Sequence, residues 1–323
     1  VKILCSISTK GRYHTTLPLA IQSVISQTRL PDKLVIFDDN DKPEDLRNNP
    51  IYYQLFLLLE NKGIEWSVIY GQKKGQHHNH EMANKMGYDW VWRLDDDTFA
   101  EPTVLENLIF YIDDDIGAIG GAIITPSMKF DLHEKFSGKI SDIYSHNNLQ
   151  WIDQSKLLEV EHLHCSFLYR AGINDYCLEL SKKAHREETI FTYGLYQKGY
   201  KLLVVPNSIT WHLKMPSGGI RSDNNQRCYN HDEEIFSYFL EGKKPTIVVL
   251  DNGMGDHIVF KHILNEIENP IIFSCYPEIV PGRSIGEARE LFVDLEPWNL
   301  YKKMDEWRWN DSLENAFRKL YIK

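Results

Sequence analysis

The stretch Trp90-Val91-Trp92-Arg93-Leu94-Asp95-Asp96-Asp97-Thr98 decides the fold, because an apolar run stops abruptly at three consecutive carboxylates. Such a run is the pattern of a buried strand. Side chains alternate along a strand, so Asp95 and Asp97 are expected to leave its carboxyl end on one side, with Asp96 opposite. Two carboxylates held at that spacing repel one another unless a cation sits between them, and hard oxygen ligands suit magnesium or manganese. The same residues also fit a solvated acidic turn that opens the next helix, with Pro102 as its first residue. The neighbouring elements discriminate between the two.

Upstream, residues 2–6 predict a first strand, followed by the polar loop Ser8-Thr9-Lys10-Gly11-Arg12 and a helix whose apolar residues Leu17, Ala20, Ile21, Val24 and Ile25 recur at helical spacing. A second strand, Leu34-Val35-Ile36-Phe37, ends at Asp38-Asp39-Asn40, a combination that also suits a turn. Ligands of open α/β sheets gather at the carboxyl ends of strands, where both acidic clusters would lie. Residues 51–60 predict a helix, 66–70 a third strand and 81–86 another helix. Between the last two, Gly75-Gln76-His77-His78-Asn79-His80 reads as a polar loop whose histidines are either metal ligands or solvated, with no distant Cys or His fixed by spacing to complete a site.

Downstream, the pattern gives a helix over 103–112 and a buried, glycine-rich strand over 116–124. Residues 126–159 lose periodicity and carry Phe130, Phe136, Tyr144 and Trp151, rings that either stack on a substrate or pack a long excursion. Strand character returns over 162–169, a helix over 187–198, two strands over 202–205 and 209–212, and a glycine- and proline-containing loop over 215–221 with the composition of a mobile segment. Glu241-Gly242-Lys243-Lys244-Pro245 has the composition of a linker. A strand over 246–250, the turn Asn252-Gly253-Met254-Gly255-Asp256, a helix over 256–267, a strand over 271–273 and a last helix over 313–320 then begin a second βαβ pattern. The expected organisation is one α/β domain over 1–244 and a small, incomplete Rossmann-like α/β module over 245–323.

With 323 residues, 42% hydrophobic, the chain buries a sizeable core, and a net charge of -10 argues against nonspecific nucleic-acid binding, which needs a basic surface. Its five cysteines are scattered without a Cys-x-x-Cys pair, which predicts thiols in a reducing, cytoplasmic setting, peripheral at most to the inner face of a membrane. No stretch is long enough to be a transmembrane segment. The chain opens at Val1 directly in a strand, as a piece of a longer protein would.

The order of elements over residues 2–212 resembles the GT-A fold of the inverting, family-two glycosyltransferases that carry an Asp-x-Asp motif. Four segments carry the resemblance: Ser8-Thr9-Lys10-Gly11-Arg12, Asp38-Asp39-Asn40, Asp95-Asp96-Asp97 and His185-Arg186-Glu187-Glu188-Thr189. The resemblance implies a hexosyl-transferring enzyme that uses a nucleotide-diphosphate sugar donor and a glycan, lipid-linked or protein acceptor. It implies Ser8, Thr9, Arg12 and Asp38 at the nucleoside, with Asn79 at the diphosphate in a His78-Asn79 pair where the family often has Arg-Asn. Asp95 and Asp96 are implied on the donor side, with a manganese or magnesium ion on Asp95, Asp97 and His212. Glu188 is the implied catalytic base and Glu187 its alternative. The turn Gly253-Met254-Gly255-Asp256 resembles the opening of a heptosyltransferase-type GT-B lobe, where a glycine turn offers phosphate the N-terminus of a helix. A nucleotidyltransferase, which would need a glycine-rich first loop where only Gly11 stands, and a noncatalytic nucleotide-sugar-binding module are the competing functions.

Overall fold

Alternation along the first strands sorts the core into two layers. In β1 (Ile3–Thr9), Ile3, Cys5 and Ile7 join the layer formed with α1 (Leu17–Ile25) and α2 (Pro50–Asn61), whereas Leu4 faces the other way. β2 (Lys33–Asp38), β3 (Glu65–Tyr70) and β4 (Trp90–Asp95) continue the sheet in parallel with β1. In β4, Trp90, Trp92 and Leu94 enter the α1/α2 layer, and Val91 enters the opposite one, beside Ala83 of α3 (Gln76–Asn84) and Phe191 of α5 (Glu187–Gln197). By the same period, Arg93 and Asp95 fall on the α5 side.

The computed structural model describes residues 1–127, 136–144, 156–215, 217–220, 225–250, 264–278 and 280–292. Among these, β5 (Thr98–Ala100), β6 (Ile116–Ile124), β7 (Leu158–Val160), β8 (Phe167–Arg170) and β9 (Lys201–His212) complete a mixed sheet in the order β3-β2-β1-β4-β8-β6-β9-β5, with β7 on β9. This is the expected α/β architecture, with local differences that have physical reasons. Asp96 and Asp97 form a tight turn into β5 rather than a helix start. Thr98 donates its hydroxyl to Asp95 O at 2.7 Å and pairs with His212, so α4 (Val104–Ile109) begins only afterwards. The two strands expected over 202–212 are one, with a register shift where the partner of β6 passes from Val205 to Ile209 across Pro206, which has no N–H to give a ladder.

The histidine segment is helical, not a polar loop. His77, His80, Ala83 and Asn84 recur at helical spacing and are buried in α3, which begins after Gly75 at φ +114°. The expected strand over 162–169 is shorter, with β8 starting at Phe167. Within the 126–159 excursion, Phe136 is buried, Tyr144 is exposed, and Phe130 and Trp151 lie outside the described residues.

The chain divides into two compact units, residues 1–177 with 186–224, and residues 178–185 with 225–323. The second unit includes α6 (Gln226–Leu240), an element for which the sequence reading has no counterpart and which precedes the polar segment around Lys244. In the second unit, β10 (Thr246–Leu250), β11 (Pro270–Ser274) and β12 (Arg283–Ser284) form a parallel sheet, followed by α7 (Ile285–Leu291), whose Ser284 and Glu287 make a reciprocal capping box. The Gly253–Asp256 turn and the helices expected over 256–267 and 313–320 lie wholly or largely outside the described residues.

Candidate active site

The register of β2, β1 and β4 sets Thr9 beside Asp38 and Ser8 beside Asp95, so three neighbouring parallel strands end at one place. Asn79 of α3 donates its amide to Ser8 Oγ at 2.8 Å. Asp38 is fully engaged at the end of β2: Tyr13 donates its hydroxyl to one oxygen, and Asn40 gives the other its backbone N–H at 3.0 Å and its amide at 2.7 Å. Asp39 accepts the backbone N–H of Lys73 at 3.2 Å. Burial raises the Asp39 carboxyl, against the opposing pull of that bond and of Asn79.

The three central carboxylates take different partners, because β4 ends at Asp95, while Asp96 and Asp97 lie in the turn beyond it. Asp96 turns to the first loop and accepts the Thr9 hydroxyl at 2.8 Å and the Lys10 N–H at 3.2 Å on a single oxygen. Burial, with the like charge of Asp97 adding to it, pushes the Asp96 carboxyl up to about 7. Asp97 lies 3.2 Å from the Arg12 guanidinium and 3.4 Å from His212 Nε2. Burial would raise Asp97, but the His212 contact and the Arg12 charge outweigh it and hold the carboxyl below its usual range. His212 moves up in return, with Asp97 overcoming the opposing effect of burial. Asp95 meets Arg93 at 3.1 Å.

Arg93, wholly buried, decides between the two glutamates at the start of α5. It grips Glu187 with two N–H···O bonds of 2.8 Å, and Gln76 gives Glu187 a third at 2.7 Å. Glu187 is therefore saturated inside the protein. Its carboxyl is raised by burial, pulled back by Arg93 and raised again by the neighbouring charge of Glu188. Glu188, one residue on, has its Oε1 3.7 Å from His164 Nδ1 and lines an open cavity of about 350 Å³.

That cavity is the meeting point of most of the expected residues: Arg12, Asp95, Asp96, Asp97, Glu188 and His212 all line it. Ser8, Thr9, Asp38, Asn79 and Glu187 are not in its wall, and they act on it only through the bonds above. The sequence reading named neither Gln76, His164 and Lys214 nor the loop residues Met215, Gly218, Gly219 and Ile220 as site residues, and all of these line the wall. Gln76 follows the helix-opening Gly75 and His164 follows a buried His162, yet neither neighbour marks a site without the fold. Gly218 and Gly219, both at φ +80°, line the cavity packed against the first loop: Gly219 donates to Lys10 O at 2.6 Å, and a Cβ on Gly218 would run into Gly11 O and Arg12.

Arg12 is buried and its Nε has no hydrogen-bond partner, an unused donor on a cation beside the cavity that suits a diphosphate. Among the described residues no three metal-ligating groups are already gathered. The donor set nevertheless fits a hard divalent ion. Asp97 and His212 are adjacent, Asp95 lines the same cavity, and such ions are commonly held by one or two carboxylates with substrate phosphates and water filling the rest. His77 and His80 are buried in α3 and are not in the cavity wall, so they stand apart from this set.

Residues 7–175 match the family described as Glycosyl transferase family 2. Galactofuranosyltransferase GlfT1 from Mycolicibacterium smegmatis is 28% identical over 112 residues, 33% of this chain and 34% of its own length, so the match spans about a third of that relative. The crystal structure of S. aureus TarS 1–349 in complex with UDP-GlcNAc superposes with a TM-score of 0.53 at 15% identity, covering 73% of this chain and 65% of the other, a likeness of fold. The family match ends before α5 and does not reach the second unit, so nothing in it speaks for a heptosyltransferase-type lobe there. Covering half of the chain and spanning the acidic strand ends from Ser8 to Asp97, it makes the protein a member of glycosyl transferase family 2, a glycosyltransferase of the GT-A fold.

Proposed function

We propose that this enzyme moves a hexosyl group from a nucleotide-diphosphate sugar to an acceptor hydroxyl with inversion at the anomeric carbon, and that Glu188 is the base. The observation that carries the assignment is the contrast within the pair: Glu188 opens on the cavity, whereas both oxygens of Glu187 are taken by Arg93 and Gln76. In the transfer, the acceptor oxygen bonds to the anomeric carbon from the face opposite the leaving group. Its proton goes to Glu188, and the electron pair of the broken carbon–oxygen bond leaves with the diphosphate. His164 beside Glu188 steadies the carboxylate. Arg12 offers its unused N–H to the diphosphate, with Asn79 on the same side through its bond to Ser8, and Ser8, Thr9 and Asp38 shape the nucleoside end, Asp38 through Tyr13 and Asn40.

A manganese or magnesium ion would be held by Asp97 and His212 with Asp95, and when bound it supplies charge stabilisation for the departing diphosphate. TarS binds UDP-GlcNAc and GlfT1 is a galactofuranosyltransferase, so UDP-hexoses are the donors to test first. The acceptor is a glycan, a lipid-linked glycan or a protein, and no helix among the described residues is long and apolar enough to cross a membrane.

The test is released UDP from a panel of UDP-sugars with manganese, for wild type, Glu188→Gln and Glu187→Gln. Glu188→Gln is expected to bind donor normally and to lose roughly two orders of magnitude in transfer. Glu187→Gln leaves the buried Arg93 with Asp95 as its remaining carboxylate partner and should lower stability by about 3 kcal/mol. A near-normal rate in Glu188→Gln with loss in Glu187→Gln would move the base to Glu187. We further propose that residues 1–244 suffice for transfer, at reduced thermal stability. A soluble but inactive 1–244 fragment would refute this.

A further inference from the structure

The two catalytic-pair glutamates are the first residues of α5, so the way the chain enters that helix fixes where they stand. The entry is unusual. Ala184 at φ +48° and Arg186 at φ +68° are both left-handed non-glycine residues, a conformation that costs on the order of 1 kcal/mol or more each and persists only where the surroundings impose it. Ala184 lies in residues 178–185, which belong to the second unit and are held within it. Asp232, wholly buried on α6, accepts the Ser181 N–H at 2.6 Å on one oxygen, and the Ser181 hydroxyl at 2.9 Å and the His185 N–H at 2.8 Å on the other. One carboxylate thereby closes Ser181–His185 into a fixed loop, inside which Ala184 donates to Ser181 O at 2.9 Å. The next residue on α6, Glu233, lies 2.7 Å from His185 Nε2, and His231 Nε2 is bonded to Glu179 O at 3.0 Å, so three successive residues of α6 grip the same segment.

We infer that Asp232 is a positioning residue for the Glu187–Glu188 pair: it holds the left-handed entry to α5 and so sets the base against the acceptor oxygen. This rests on the reading of Glu188 as the base. The chain is continuous from the clamped His185 to Glu187 across the single strained residue Arg186, so releasing the clamp lets that strain relax by turning the start of α5. Small misplacements of a reacting group are expensive in rate, and a shift on the order of 1 Å can cost about a hundredfold.

The experiment is a double-mutant cycle in the full chain: Asp232→Asn, Glu188→Gln and both together. Transfer is expressed per binding site counted by titration with UDP and manganese, which removes any misfolded fraction. Asp232→Asn is expected to lower kcat per site about tenfold, with UDP affinity unchanged, and to add less than twofold in the Glu188→Gln background. A wild-type kcat per site in Asp232→Asn overturns the inference, as does an equal loss in both backgrounds, which marks a structural role. A full rate in Glu188→Gln alone is a different failure: it removes the base assignment and, with it, the role of Asp232 through that base. Should Asp232→Asn not fold, Ser181→Ala removes one of the three donors and is expected to lower kcat per site twofold to threefold. No change there overturns the inference equally.

Discussion

Two acidic runs end neighbouring strands of the same sheet, Asp38-Asp39-Asn40 after β2 and Asp95-Asp96-Asp97 after β4, and the structure uses them in opposite ways. The first is closed: Tyr13, Asn40 and the Lys73 N–H occupy its carboxylates. The second is open, since all three of its carboxylates line the cavity and the partners of Asp97, Arg12 and His212, line it too. Sequence pattern placed both runs at strand ends. What separated them was the supply of donors from elsewhere in the chain, and a carboxylate saturated by neutral local donors shapes a site, whereas one flanked by cations and a cavity holds a ligand.

The strongest way to break this contrast is Asp97→Asn, which should cut transfer about a thousandfold and abolish the metal dependence of donor binding, because in the proposed scheme the residue is a metal ligand as well as the partner of His212. Full transfer in excess chelator would remove the metal from the scheme. Next is Asp96→Asn, expected to stabilise the protein at pH 8 by about 2 kcal/mol. The sign follows from the raised carboxyl. With a folded pKa of about 7 against an ordinary unfolded value, Asp96 supports the fold fully only below the unfolded pKa, and that support is lost as pH rises toward 7. An amide oxygen can still accept from Thr9 and Lys10, which share one oxygen. The gain should therefore grow between about pH 4 and 7 and level off above. Thermal unfolding at pH 5 and pH 8 measures it, and a variant less stable than wild type at pH 8 would contradict the burial argument.

The smallest effect is expected on the closed side. Asp38→Asn puts an amide N–H₂ against the donors of Tyr13 or Asn40, so it should lower stability by about 1 kcal/mol and raise the donor KM a few fold with kcat unchanged. A collapse of kcat with intact folding would show that the first run is as chemical as the second, and would erase the distinction.

How much of this was legible in the sequence follows from the range over which each signal acts. The strand pattern of Trp90 to Leu94 is local and put the acidic run at a strand end, but parity stops at Asp95: Asp96 and Asp97 lie in the turn beyond it, and all three carboxylates line the cavity. The helical period of His77, His80, Ala83 and Asn84 was equally local but was masked by polarity, so the segment read as a loop until burial revealed the face. The locking of Glu187 by Arg93 could not be read, because the two residues stand far apart in sequence and only the sheet, with α5 on its face, makes them neighbours. The same holds for Gln76 and His164, whose place in the cavity wall comes from the packing of α3 and from the turn before β8. The membership of residues 178–185 in the second unit was not legible for a third reason. Composition marked a linker after α6, but the segment 178–185 joins its unit through hydrogen bonds to Asp232, which leave no trace in composition.

The pairing of Thr98 with His212 has a consequence for the order in which the enzyme comes into being. β5 finds its partner only in β9, and the histidine that stands against Asp97 is the last residue of that strand. During synthesis the acidic turn emerges long before its counterpart, and contacts so distant along the chain form late because loop closure must precede them. Asp97 therefore spends the early life of the chain without the imidazole that stands against it. Competence for donor arrives with the closing of the sheet rather than with the appearance of the motif.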